Sequence, residues 1–245
     1  MKLLLSIFFC LFSALAHADN SKTIVFVHGA WSGGWDWKDM QGGLQEKGYS
    51  VYRPTLTGLG ERSHLSGPDV NLSTHIADIV NVLRYEELNN VVLVGHSYGG
   101  MVITGVANQE PDRIHHLVYL DAALPNDGES VFSMMGIARS TMLKGLAMLS
   151  GESWALSPQW ENPGRHEPHP LATYEEPISI DDEVMAKLSG TYVLTIDPGE
   201  TEDNFTPMAK RAEERGWRVL EWRTGHVPHR SMRDETIKLI IEASQ

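Results

Sequence analysis

The chain has 245 residues, a formal net charge of −12 and one cysteine, and 42% of its residues are hydrophobic. That is enough for one large domain with a buried core, and the absence of low-complexity tracts or a repeat period argues against a disordered or solenoid protein. The acidic balance repels phosphate backbones, so no nucleic acid partner is expected.

The first residues, MKLLLSIFFCLFSALAHADN, read as an export signal. Lys2 gives the positive start, Leu3 to Leu15 the apolar stretch and Ala16-His17-Ala18 the cleavage site. The stretch is too short for a spanning helix, so no stable membrane anchor is expected. Cleavage after Ala18 removes Cys10 and leaves residues 19–245 without a thiol, in a periplasm or outside the cell.

From residue 23 apolar runs alternate with helical periodicity. Thr23 to Val27 predicts a buried strand, followed by a Gly-rich loop and a helix through about Lys47. Tyr49 to Tyr52 is a second short strand. Ser73 is the expected N-cap of a helix with Ile76, Ile79, Val80 and Leu83 on one face. Val91 to Val94 reads as a central parallel strand, followed by a helix to about Gln109 and a strand from His116 to Leu120. Residues 125–188 hold many methionines, prolines and tryptophans with little strand signal. The alternation resumes with a strand from Thr191 to Ile196, a helix near Thr206 to Arg215, a strand from Trp217 to Trp222 and a helix from Met232 to Ala243. This pattern predicts a single α/β domain, a mostly parallel sheet covered by helices on both faces. The irregular middle predicts a lid over the C-terminal edge of the sheet, where open α/β folds bind ligands.

VVLVGHSYGGM, residues 91–101, sets Ser97 between Gly95 and Gly99 at the junction of a strand and a helix. That is the setting of a nucleophile elbow, with glycines where the chain crowds and helix N–H groups where an oxyanion would form. In VFVHGAWSGGW, residues 25–35, a strand ends at His28-Gly29 and the chain turns sharply. The N–H groups of Ala30 and Tyr98 are expected to form the oxyanion hole. His28 is expected to brace the loop rather than act as base, and with Trp31 it is placed among the substrate-binding residues. The base is His226, in EWRTGHVPHRSM between the last strand and last helix, with His229 its near rival. His17, His75, His115 and His116 read as surface or packing residues. For the acid, Asp197 ends the apolar run in TYVLTIDPGETED and is preferred; Glu200 and Asp203 lie just beyond, and Asp121 ends the preceding strand. In the lid, Met134, Met135 and Met142, with Met148, Leu143, Leu146 and Trp154, are expected to line an adaptable apolar pocket. His166 and His169 in RHEPHP lack the helical spacing and cysteine partners of a metal site, and no nucleotide fingerprint occurs, so neither metal nor cofactor is expected.

With FVHGAWSGGWDW, RPTLTGLGERSHL, GHSYGGMV, VYLDAALPNDGES, HPLATYEEP and GWRVLEWRTGHVPH in place, the chain resembles the α/β-hydrolase superfamily. More narrowly it is similar to the small carboxylesterases grouped with plant methyl-salicylate esterases, hydroxynitrile lyases and bacterial pyrethroid-hydrolase-like esterases. The resemblance runs from about residue 23 to the C-terminus. It implies an α/β-hydrolase fold and a serine carboxylesterase that acts on apolar or aromatic esters through an acyl-enzyme without a cofactor. Lyase members carry threonine at the place of Gly29 and lysine after the catalytic histidine; Gly29 and Val227 here favour hydrolysis. A lactonase or thioesterase would use the same residues, and a small-molecule receptor of this fold is the alternative outside enzymes. The partner implied is a small ester; no oligomeric state is assigned.

Overall fold

A computed structural model describes residues 23–158 and 165–245. The expected export segment, residues 1–18, lies outside them. The strands are β1 Thr23–Val27, β2 Ser50–Tyr52, β3 Val91–His96, β4 Ile114–Leu120, β5 Ala155–Leu156, β6 His169–Pro170, β7 Gly190–Thr195 and β8 Arg218–Trp222. The helices are α1 Lys38–Gln45, α2 Leu72–Tyr85, α3 Gly99–Gln109, α4 Val131–Met135, α5 Ile137–Leu149, α6 Ala172–Glu175, α7 Asp182–Met185, α8 Thr206–Glu214, α9 Pro228–Ser231 and α10 Arg233–Ala243.

Six strands form one parallel sheet in the order β2-β1-β3-β4-β7-β8. Each central strand is apolar on both sides because each side meets helices. In β1, Val25 and Val27 join Ile76, Ile79, Met101 and Val102 of α2 and α3, while Ile24 and Phe26 join Trp37, Met40, Leu44 and Ile240 on the opposite face. Phe26 and Trp37 stack there with ring centroids 4.4 Å apart.

Between β4 and β7 the chain leaves the sheet and builds α4 to α7 and the small antiparallel pair β5–β6. This is the segment expected to be irregular; α4, α6 and α7 are only four or five residues long, and the 13-residue α5 buries only Leu143 and Ala147, so none shows a clear apolar period. One cap differs from expectation. Asn71, not Ser73, caps α2: its side chain accepts the Thr74 N–H at 2.9 Å, and Thr74 closes a capping box. Ser73 instead gives its N–H and hydroxyl to Glu176 of the lid. Among the described residues no helix is long and apolar enough to cross a membrane.

Candidate active site

Ser97 follows directly on β3 and precedes α3. Its backbone is left-handed, φ 54°, a strained conformation for a residue with a Cβ. Neighbouring glycines make the turn possible. A Cβ on Gly95 would stand 2.9 Å from the Gly99 carbonyl oxygen, and one on Gly99 would stand 2.6 Å from that of Val27.

His226 lies in the loop after β8. Its Nε2 is 2.9 Å from Ser97 Oγ, and its Nδ1 is 2.6 Å from Asp121 Oδ2. The carboxylate fixes the proton on Nδ1, leaving Nε2 to accept the serine proton. Asp121 is fully buried, and its second oxygen accepts the Thr195 N–H at 2.9 Å.

The carboxylate hydrogen-bonded to His226 is thus Asp121, not the expected Asp197. The cause is register. His96 of β3 pairs with Leu120 of β4, so the next residues along each strand, Ser97 and Asp121, emerge side by side. Asp197 lies one strand further out, its Oδ1 3.3 Å from where a Cβ on Gly225 would stand. Asp203 turns back on its own loop and accepts the Phe205 N–H. A carboxylate closing an otherwise apolar strand, VYLD, was the sequence signal for Asp121.

The turn after β1 packs against the nucleophile: a Cβ on Gly29 would stand 3.0 Å from Ser97 Cβ. Ala30 and Tyr98, the residues expected to supply the oxyanion N–H groups, line the same cavity as Ser97. His28 does not line the cavity over Ser97, which departs from its expected place among the binding residues. It is fully buried; Nδ1–H donates to the Gly29 carbonyl at 2.8 Å, and Nε2 accepts the Leu56 N–H at 3.1 Å. Burial lowers its pKa and keeps it neutral in this brace.

Other histidines hold the scaffold. His96 Nε2–H donates to the His226 carbonyl at 2.7 Å, fixing the loop that carries the base. The His226 ring stacks on Phe205 with centroids 5.3 Å apart. His229, the rival base, is buried against Trp37 with Nε2 3.3 Å from Asp36 Oδ2, and does not contact Ser97. His75, also buried, accepts the Tyr98 hydroxyl on Nδ1 and donates from Nε2 to the Thr57 carbonyl. His169 Nδ1 accepts the Trp31 N–H, and Trp31 Nε1–H donates to the Leu156 carbonyl, so the loop after β1 is tied to β5 and β6 of the lid. His166 meets Trp35 edge-on.

The cavity over Ser97 holds about 650 Å³. Trp31, Met134, Met135, Leu143, Tyr174 and Met208 give it an apolar wall, and Asp36, Arg139, Asp197, Asn204 and Arg230 a polar one. Met142 is corrected: it is 55% exposed and outside the cavity, because Leu143 and Ala147 take the inward face of α5.

The profile of the alpha/beta hydrolase family matches residues 24–239. The chain is 38% identical over 223 residues to the carbendazim hydrolyzing esterase of a Nocardioides species, covering 82% of this chain and 91% of that one. It is 37% identical over 108 residues to the pyrethroid hydrolase of Sphingobium wenxiniae, covering 43% of this chain and 37% of the relative. Among solved structures, an extracellular alpha/beta-hydrolase from a Paenibacillus species superposes with a TM-score of 0.77 at 23% identity, covering 91% and 98% of the two chains. That likeness bears on the fold alone.

Proposed function

The chain belongs to the alpha/beta hydrolase family, and from that premise we propose that it is a serine carboxylesterase acting on small apolar or aromatic esters. The observation that carries this reading is the hydrogen-bonded line from Ser97 through His226 to Asp121. Ser97 Oγ attacks the ester carbonyl as His226 Nε2 takes its proton, and Asp121 steadies the imidazolium. The N–H groups of Ala30 and Tyr98 receive the oxyanion. His226 then protonates the leaving alcohol, and water attacks the acyl-enzyme by the same route in reverse. The names of the two relatives and the apolar wall of the cavity support esters with an apolar or aromatic part.

The test is turnover of short and medium p-nitrophenyl esters by wild type and Ser97→Ala. The variant is expected to lose on the order of 1,000-fold or more in kcat; unchanged turnover would refute the role of Ser97. The N-terminal pattern supports export to a periplasm or the medium. N-terminal sequencing of the exported protein is expected to begin at Asp19, and a cytoplasmic, uncleaved chain would refute it.

A further inference from the structure

Three hydrogen bonds from the lid close on one residue of the loop after β1. Leu156 of β5 and His169 of β6 are partners in their antiparallel register, and each takes one N–H of Trp31. His169 Nδ1 accepts the backbone N–H at 3.3 Å, and the Leu156 carbonyl accepts the indole Nε1–H at 2.7 Å. The Glu167 N–H, just before β6, donates to the Trp31 carbonyl at 3.0 Å. Trp31 is left-handed at φ 63°, a conformation that a tryptophan holds only where its surroundings enforce it. The residue before it is Ala30, one of the two expected oxyanion donors.

His169 also touches the residue that carries the other donor. Its ring meets that of Tyr98 nearly at right angles, with centroids 4.7 Å apart, and the Tyr98 hydroxyl is tied to His75 at 2.9 Å. His169 is fully buried and does not line the cavity over Ser97, so what it does for the reaction it does through these neighbours. Accepting on Nδ1 puts the ring proton on Nε2, and among the described residues that buried N–H finds no hydrogen-bond partner. Phenylalanine would fill the same space and strand no polar atom, so packing alone does not account for a histidine here. Burial lowers its pKa and keeps the ring neutral, which keeps Nδ1 an acceptor.

We propose that His169 is a positioning residue for the oxyanion hole: by fixing the Trp31 N–H and packing on the Tyr98 ring, it aims the Ala30 and Tyr98 N–H groups. The sheet then supplies the two donors, and the lid supplies what directs them. This inference rests on the esterase reading above, which gives those N–H groups their role. A misaimed donor costs more in the transition state than in the bound ester, because the tetrahedral oxyanion leans on it harder than the ground-state carbonyl does. The effect of losing His169 therefore belongs to kcat rather than to KM.

The test compares wild type with His169→Phe, which keeps a ring and loses the acceptor, and His169→Asn, whose Oδ1 takes the place of Nδ1. On one p-nitrophenyl ester, His169→Phe is expected to lose about 100-fold in kcat with KM within about threefold. Affinity for a trifluoromethyl ketone, which forms the tetrahedral oxyanion on Ser97, should fall in step, and His169→Asn should recover most of both. An unchanged kcat, a loss confined to KM, a loss of kcat that spares trifluoromethyl ketone affinity, or an Asn variant no better than Phe overturns the proposal. Should His169→Phe not fold, His169→Gln replaces it with the same outcomes, since its amide oxygen reaches the place of Nε2 rather than Nδ1. If wild type turns over no ester, the esterase reading fails by itself, and backbone amide NMR decides about His169. The Ala30 and Tyr98 signals are then expected to move in His169→Phe and to return in His169→Asn; unmoved signals overturn the proposal.

Discussion

Asp121 and Ser97 stand side by side at the ends of adjacent parallel strands, each one residue beyond the registered pair His96 and Leu120, and each in left-handed backbone at φ 46° and 54°. The Ser97 N–H reaches the Leu120 carbonyl at 3.3 Å, joining the two turns directly. His226 then spans both residues from the far side, with one ring nitrogen for each.

This relationship separates two carboxylates that the chain order alone does not. Asp121→Asn keeps an acceptor for the Thr195 N–H but lets the His226 proton settle on the wrong nitrogen. It is expected to lower kcat roughly 1,000- to 10,000-fold. Asp197→Asn is expected to stay within about tenfold of wild type. Steady-state kinetics on one p-nitrophenyl ester decide it, and the reverse ranking would restore Asp197 as the acid.

Two glycines should respond in opposite directions to alanine. A Cβ on Gly100 would collide with the Ala123 carbonyl, just past Asp121. Gly100→Ala is therefore expected to cost about 3 kcal/mol and to impair turnover by moving the acid. Gly42 is exposed within α1 and has nothing within 4 Å of such an atom. Gly42→Ala is expected to stabilise by roughly 0.5–1 kcal/mol. Urea unfolding midpoints of the two variants give the comparison.

His28→Ala should weaken the fold without changing which group titrates in catalysis. The Leu56 N–H loses its buried acceptor, at a cost of about 1–3 kcal/mol. The pH dependence of kcat/KM should keep its midpoint, since His226 remains the base. A displaced midpoint would show that His28 takes part in the proton transfer.

Acid sensitivity should begin with histidines, before carboxylates matter. Burial lowers the pKa of His28, His96, His169 and His229, and that of His75 to about 4, against an unfolded value of 6.5. Above about pH 6.5 this arrangement costs nothing. Between about pH 6.5 and 4 the unfolded chain binds protons that the folded chain refuses, so stability falls as pH falls. His75 alone contributes roughly 2 kcal/mol of loss by pH 5. Asp36 behaves oppositely: burial pushes its carboxyl up, but His229 and Arg230 together hold it well below the usual range. Its contribution is present above about pH 4 and is lost only in stronger acid. Urea midpoints at pH 7.5, 6 and 5 should decline steadily; a flat profile would mean that these histidines take up protons while folded.

The sheet was legible because a strand covered on both faces is an unbroken apolar run, as at Val91 to Val94, and because each run is followed by a helical period. Ser97 was legible because Gly95 and Gly99 mark a turn that admits no side chain. The acid was not, because its identity depends on which strand lies beside β3, a property of pairing rather than of any one segment. Ser73 and Asn71 are both good capping residues, and what separates them is Glu176, 103 residues from Ser73, drawing the serine away. Met142 and Leu143 are adjacent and equally apolar, and only the seating of α5 on the body decides which of them faces the cavity.

His226 lies 129 residues beyond Ser97 and 105 beyond Asp121. A chain emerging from the ribosome thus carries its nucleophile and acid long before its base. Until the last twenty or so residues are made and β8 has docked beside β7, Ser97 has nothing to take its proton. The order of synthesis alone therefore leaves Ser97 without the imidazole that lies beside it in the folded chain. A ribosome-stalled chain ending before residue 226 should fail to label with a fluorophosphonate, and one released at full length should label at once.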